Sequence, residues 1–297
     1  MFKINFYICV SKINNNINDC IKSIIAQKNK HIIKIYIIEN NKTKLVNKTF
    51  IKKINKLNKV KIFFKKEKQI GIPFARNKCL DLIRKNNSDF SCFVDDDCVL
   101  SNNWLKNMLK VYNDTKFEII TGPQISLNRN IYEIVLERKN SHLKKIRWAA
   151  TNNIFFKSGI IKKINFNFDT KLKNIGGTDQ LFFSKVNLKN NFIIWNINSP
   201  VYENRDQSKS NFIWFLKRNI RFGTSSKTIY SKLYNLPNTF FLILLKSFSE
   251  FLKSIMFFLL IPIDLKKNFL LFIQYFVRSI STFISLFNIK FEEYITS

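Results

Sequence analysis

Apolar residues follow two rhythms along most of this chain. Short runs that are apolar at nearly every position alternate with stretches in which apolar side chains recur every three or four residues. The runs at 4–10 (INFYICV), 32–40 (IIKIYIIEN), 59–64 (KVKIFF), 90–97 (FSCFVDDD), 117–127 (FEIITGPQISL) and 192–204 (FIIWNINSPVYEN) predict strands. Residues 17–27 predict a helix with Ile17, Cys20, Ile21, Ile24 and Ile25 on one face. Further helices are expected over 71–86, after a turn, and over 101–114, capped by Ser101 or Asn102. A strand with a short helix is expected over 148–166, a loop running into a helix over 174–191, and a charged helix or loop over 131–145. Residues 207–235 are basic and amphipathic. Strands alternating with helices predict an α/β fold on a parallel sheet, in which ligands bind beyond the C-terminal strand ends. Glu39 and the run Asp95-Asp96-Asp97 both fall at such ends.

The tail has a different pattern. Residues 239–263 and 269–287 are overwhelmingly apolar, yet Lys246, Glu250 and Lys253 interrupt the first, and Gln274, Arg278, Ser281 and Ser285 the second. Those spacings place each polar set along one helix face. With the polar turn 264–268 between them, a helical hairpin with two thin polar stripes is predicted. Its longest uninterrupted apolar run, 255–263, falls short of the roughly 20 residues that span a bilayer. The hairpin is therefore expected to lie in the membrane interface. A two-span hairpin with facing polar stripes, or an apolar subdomain covering the core, are the other readings.

Composition changes this picture only in part. A chain of 297 residues, 46% hydrophobic, buries the core of a catalytic-size domain with an appendage. The net charge of +30 comes mostly from Lys spread along the whole chain, with only nine Arg, and no basic stripe or nucleic-acid motif stands out. No nucleic-acid partner is expected; a positive surface favours anionic membranes and substrates. Five cysteines without C-x-x-C spacing predict reduced, buried thiols in the cytosol. The N-terminus runs straight into a strand pattern without a signal-peptide core, so no export is expected.

Chemistry concentrates at two places. Adjacent carboxylates at a strand end suit a hard divalent cation, Mg²⁺ or Mn²⁺, with Asp95 and Asp97 on one side of an extended chain and Asp96 on the other. An acidic turn capping the next helix is the alternative. The second place is Asp179, which follows Gly176-Gly177, the one adjacent pair among six glycines, and opens a helix. A helix-capping Asp is the alternative there. Trp104 and Trp148 read as core, and His31 and His142 are too isolated for a metal or triad site.

The fragments ICV, INDCIKSIIAQ, IYIIENN, GIPFARNKCLDLI, FVDDDCVLSNNWL and GGTDQLFFSKV occur in the order and at the spacing of a known family. Over roughly residues 1–225 the chain resembles the family 2 glycosyltransferases, of the bacterial cell-surface glycan type with a hydrophobic tail. The resemblance implies a GT-A fold, with a nucleotide-sugar half (1–100), an acceptor half (101–225) and a membrane-associating tail (226–297) at the inner face of the cell membrane. It implies an inverting, metal-assisted transfer from a nucleotide-diphosphate sugar to a glycan or lipid-linked acceptor. Glu39 stands where an acidic residue holds the nucleobase, Arg76 and Asn77 where the nucleotide is faced, and Asp95 to Asp97 at the D-x-D carboxylates. Of these, Asp95 and Asp97 are the implied metal ligands, Asp95 and Asp96 the nucleotide contacts, and Asp179 the implied general base. Arg218 and Arg221 stand where a basic segment lies near the donor phosphates; a solvated basic face beside lipid headgroups is the alternative. Two departures stand out, Thr178 for the usual Glu and 11–16 (SKINNN) for the usual Thr-Tyr/Phe start, and they motivate the alternative of a degenerate homologue that only binds nucleotide or a partner.

Overall fold

The computed structural model describes residues 1–11, 16–27, 30–41, 60–127, 130–190, 192–204 and 211–292. Residues 12–15 of the unusual first loop, and 207–210 of the basic segment, lie outside the described residues. In chain order the elements are β1 (Lys3–Val10), α1 (Asn16–Ile25), β2 (Ile32–Glu39), β3 (Lys61–Lys66), α2 (Ile72–Lys85), β4 (Phe90–Val94), β5 (Cys98–Leu100), α3 (Trp104–Thr115), β6 (Ile119–Thr121) and β7 (Gln124–Ser126). There follow α4 (Ile131–Leu136), β8 (Lys145–Ile146), β9 (Asn153–Lys157), α5 (Ser158–Lys163), α6 (Thr178–Leu188), β10 (Ile193–Trp195) and β11 (Val201–Glu203). The C-terminal helices are α7 (Phe212–Thr224), α8 (Ser226–Tyr230), α9 (Leu236–Leu259) and α10 (Leu265–Ile284).

Two compact units result. One comprises Met1–Leu127, Arg138–Thr170 and Phe182–Asn204; the other comprises Asn128–Glu137, Lys171–Leu181 and Arg205–Ser297. Two earlier segments thus join the residues from 205 on in the second unit. Their apolar side chains explain it: Val135 packs with Phe215 and Leu270, while Leu172, Ile175 and Leu181 pack with Ile229.

The first unit is built on an eight-stranded sheet, β3-β2-β1-β4-β9-β6-β10-β8. The strands from β3 to β4 are parallel, as expected. The sheet as a whole is mixed, because β9 inserts antiparallel between β4 and β6. Alternation along β1 sends Ile4, Phe6, Ile8 and Val10 into one core and Tyr7 into the core on the opposite face. Both faces are covered, which is why these strands read as nearly continuous apolar runs.

Two expected strands are each broken in two. FEIITGPQISL divides into β6 and β7, and FIIWNINSPVYEN into β10 and β11, with β7 and β11 leaving to form a three-stranded sheet, β5-β11-β7. Gly122 makes the first crossing possible, since a Cβ there would strike the Ser199 carbonyl and lie 2.8 Å from that of Asn196. Pro123 follows with no N–H to give a ladder. Asn153 secures this junction: its amide donates to the Pro123 and Ser199 carbonyls, both at 2.9 Å, and its Oδ1 accepts from buried Trp104 Nε1 at 2.8 Å. The expected caps of α3 give way to Asn103, which makes no side-chain capping bond.

In the second unit α9 and α10 form the expected hairpin, but its turn comes earlier. Asp264 Oδ1 accepts from Lys267 N at 3.1 Å, so the helix begins at Leu265 and takes in most of the stretch expected as the turn. The hairpin is polar inside and apolar outside. Thr239, Ser247, Glu250 and Ser254 of α9, and Asn268, Gln274, Ser279, Ser281 and Thr282 of α10, are buried. Ser247 and Ser279 each donate to the other's carbonyl, at 3.0 and 2.9 Å. Meanwhile Phe241, Phe248, Leu252, Phe258, Phe269 and Phe283 are exposed. By length and composition, 265–287 (mean hydropathy 1.5) is long and apolar enough to cross a membrane, which the uninterrupted apolar runs did not suggest.

Candidate functional site

The carboxylate run closes the first unit's central strand. All five residues of β4 are buried, and the chain then turns: Cys98 N donates to Asp95 O at 3.1 Å, and β5 begins. The run is thus a tight turn rather than the extended strand end expected, and the alternating-side argument for Asp95 and Asp97 lapses. The turn's backbone is held further by Asn204 N donating to Asp97 O at 2.8 Å and by Cys20 Sγ against Asp95 O at 3.5 Å.

With the backbone fixed, like charges are forced together. Burial pushes the Asp95 carboxyl up to about 8, with Asp97, Asp96 and Glu203 adding to the rise and Arg76 opposing it. Burial, with the same carboxylates, also raises the Cys20 and Cys98 thiols. Glu203 escaped the sequence reading. It ends β11 opposite Cys98, is buried, and accepts from Asn152 Nδ2. Its one sequence signal, an acid closing an apolar strand as Glu39 does, was diluted by the Asn and Lys around it.

Arg76 brings positive charge toward Asp95. It is buried on α2, with its guanidinium 5.7 Å from the Phe168 ring centroid. Gly71 opens that helix with φ 133°, a conformation other residues rarely adopt. Asn40, a second residue missed, fixes this turn: its Oδ1 accepts from Gly71 N at 2.8 Å and its Nδ2 donates to Gln69 O at 2.6 Å. Glu39 ends β2, buried and in register with Val10. Asn77 is tied to the backbone of Phe168, accepting from its N–H at 2.8 Å and donating to its carbonyl at 3.0 Å.

A divalent cation fits this donor set. The carboxylates are hard oxygen ligands, while among the described residues no three His, Cys, Asp or Glu converge to enclose a metal. One or two protein carboxylates, completed by water and phosphate oxygens, is how Mg²⁺ is usually held.

Asp179 belongs to the second unit. Gly176 and Gly177 adopt φ of 82° and 78° and turn the chain into α6, where half-buried Asp179 accepts from Gln180 N at 2.9 Å. Thr178 is buried. Arg221 of α7 lies along Gly176: a Cβ there would meet its Cδ, Nε and Nη1 at 3.5–3.6 Å. The Arg218 guanidinium sits 5.2 Å from the Trp214 ring centroid. The structure thus brings Asp95, Asp96, Asp97, Arg76 and Glu203 together in one unit, and Arg221 with the Asp179 loop in the other.

Comparison with known proteins matches residues 7–186 to the family model "Glycosyl transferase family 2". A curated relative, the succinoglycan biosynthesis protein ExoM of Rhizobium meliloti, is 25% identical over 174 residues, covering 56% of this chain and 55% of its own. The chain thus matches about half the length of that relative. Among solved structures, S. aureus TarS 1–349 in complex with UDP-GlcNAc aligns with a TM-score of 0.56 at 14% identity, covering 78% of this chain and 67% of its own. The mannosyltransferase PcManGT from Pyrobaculum calidifontis, in complex with GDP-Man and Mn²⁺, aligns with a TM-score of 0.57 at 11% identity, covering 96% and 74%. These likenesses show the expected GT-A fold. With the family model matched over more than half its length, the chain belongs to glycosyl transferase family 2.

Proposed function

We propose that this chain moves a sugar from a nucleotide-diphosphate donor to a hydroxyl of a glycan or lipid-linked acceptor, with inversion. What carries this reading, in a chain of this family, is the gathering of Asp95, Asp96, Asp97 and Glu203 at the turn that closes a sheet strand. The donors named with the structural neighbours, UDP-GlcNAc and GDP-Man, support the donor class, and Mn²⁺ in the latter supports the cation.

Asp95 and Asp97 would hold Mg²⁺ or Mn²⁺, which when bound supplies positive charge to the departing diphosphate. Glu39 accepts hydrogen bonds from the nucleobase, and Asp96 and Arg76 face the nucleotide. Asn77 serves this site through the Phe168 backbone it grips. Arg218 and Arg221 present guanidinium forks to the diphosphate. A carboxylate oxygen of Asp179 takes the acceptor's proton as the new glycosidic bond forms and the bond to the diphosphate breaks. The exposed Phe and Leu side chains of α9 and α10 enter the cytoplasmic face of a membrane, where the acceptor is at hand.

The test is a panel of nucleotide sugars, each offered to the full chain with and without Mn²⁺. At least one should raise Tm and release free nucleotide only with the metal. A panel in which no donor does either would sink the reading.

A further inference from the structure

The loop carrying Asp179 is shaped by the tail. Its two positive-φ glycines are each met by a side chain from the C-terminal helices: Arg221 along Gly176, and Ile229 of α8 so close that a Cβ on Gly177 would lie 2.7 Å from its Cδ1. Ile229 also completes the small core of Leu172, Ile175 and Leu181 that brackets the loop on both sides. The position of the loop therefore follows that of α7 and α8.

Those helices are in turn gripped by the hairpin through its inward polar groups. Lys246 Nζ donates to Ser226 Oγ at 2.8 Å. Arg278 Nε donates to buried Asn219 Oδ1 at 2.7 Å. The same two cations stand over the ring of Phe222, the neighbour of Arg221, at 4.6 and 4.5 Å from its centroid. Gly223 packs against Ser281 with no room for a side chain, and Lys227 Nζ donates to Leu286 O at 2.8 Å. Glu250, buried in the hairpin, supplies the countercharge to both cations.

We propose that the hairpin is a clamp on the base-bearing loop, with Lys246 and Arg278 as positioning residues for Asp179. The tail is then part of the catalytic apparatus and not only an attachment. This rests on the reading of Asp179 as the general base.

The experiment measures transfer kinetics of the full chain for Arg278→Met, Arg278→Lys, Asp179→Asn and the double variant Arg278→Met/Asp179→Asn. Arg278→Met should lower kcat about 10- to 100-fold, by more than it raises donor KM, because a small displacement of a base is costly. Arg278→Lys keeps a cation over Phe222 and a donor for Asn219, so it should recover much of the loss. In the double variant Arg278→Met should add almost nothing to Asp179→Asn, since no base remains to be misplaced. Independent, multiplying losses would overturn the clamp, as would near-normal kcat in Arg278→Met beside a dead Asp179→Asn. Near-normal turnover in Asp179→Asn would instead sink the base assignment. Should Arg278→Met fail to fold, Lys246→Met/Glu250→Gln, which leaves Arg278 with its Asn219 bond, is scored in the same way.

Discussion

At the Asp95–Asp97 turn Asp95, Asp96, Asp97 and Glu203 gather near Arg76, whereas inside the hairpin Lys246 and Arg278 gather near Glu250. Both clusters force like charges together away from water, but at different places in the fold. In the hairpin the cations tie helix to helix: the Phe222 ring, the Ser226 hydroxyl and the Asn219 carboxamide all face them. At the turn the carboxylates close a sheet strand on a tied-down backbone, and the Asp95 carboxyl is pushed up to about 8. Charges that join one helix to the next belong to the framework. Hard oxygen ligands gathered at the end of a sheet strand suit an outside cation.

The largest expected effect tests whether the second unit carries chemistry beside its framework. Asp179→Asn keeps size and hydrogen-bonding shape but removes the basic oxygen, so kcat in a transfer assay should fall about 10²- to 10⁴-fold while donor affinity holds. Asp169→Asn, in the rival carboxylate upstream, should cost far less. The reverse ranking would move the base to Asp169.

The next effect sharpens the inside-out character of the hairpin. Phe241→Glu with Phe248→Glu places charges on the apolar outer face and should release the chain from anionic vesicles in a flotation assay, each buried Phe being worth about 1.5–3 kcal/mol. Exposed Lys253→Glu should weaken attachment by only about 1 kcal/mol. Lys246→Glu should act on folding instead, because its ammonium points inward at Ser226 rather than out to headgroups. Unchanged flotation in the double Phe variant would show that lipid does not cover this face.

A smaller effect separates framework from ligand contact within the first unit. Asn77→Ala strands the N–H and carbonyl of Phe168 and should lower stability by about 1–3 kcal/mol in denaturant titration. A large loss of donor affinity at unchanged stability would return Asn77 to the nucleotide.

Much of this was legible in the chain. The parallel strands from β3 to β4 showed because both faces of the sheet are covered, so apolar runs stood out against the helical spacing of α1 and α2. The breaks at Gly122 and before Val201 did not show, because apolar character continues across them and only a close approach of backbone to backbone decides the crossing. The spacing of Lys246 and Glu250 showed that they share a face, but a period says nothing of what that face meets. The usual rule, polar outward, is reversed over much of α9 and α10, where Phe241, Phe248, Phe269 and Phe283 are exposed while Glu250 and Gln274 are buried. Glu203 and Asn40 were missed for another reason: each serves a site assembled from distant segments, with no local pattern of its own.

The central claim is that the carboxylates of the Asp95–Asp97 turn are completed by a divalent cation and a nucleotide-diphosphate sugar. Isothermal titration of the stabilising donor into wild type and Asp97→Ala, each with and without Mn²⁺, addresses it most directly. The account predicts tight donor binding only in wild type with Mn²⁺, and its loss in Asp97→Ala. Donor binding with the same Mn²⁺ dependence in both proteins would contradict it.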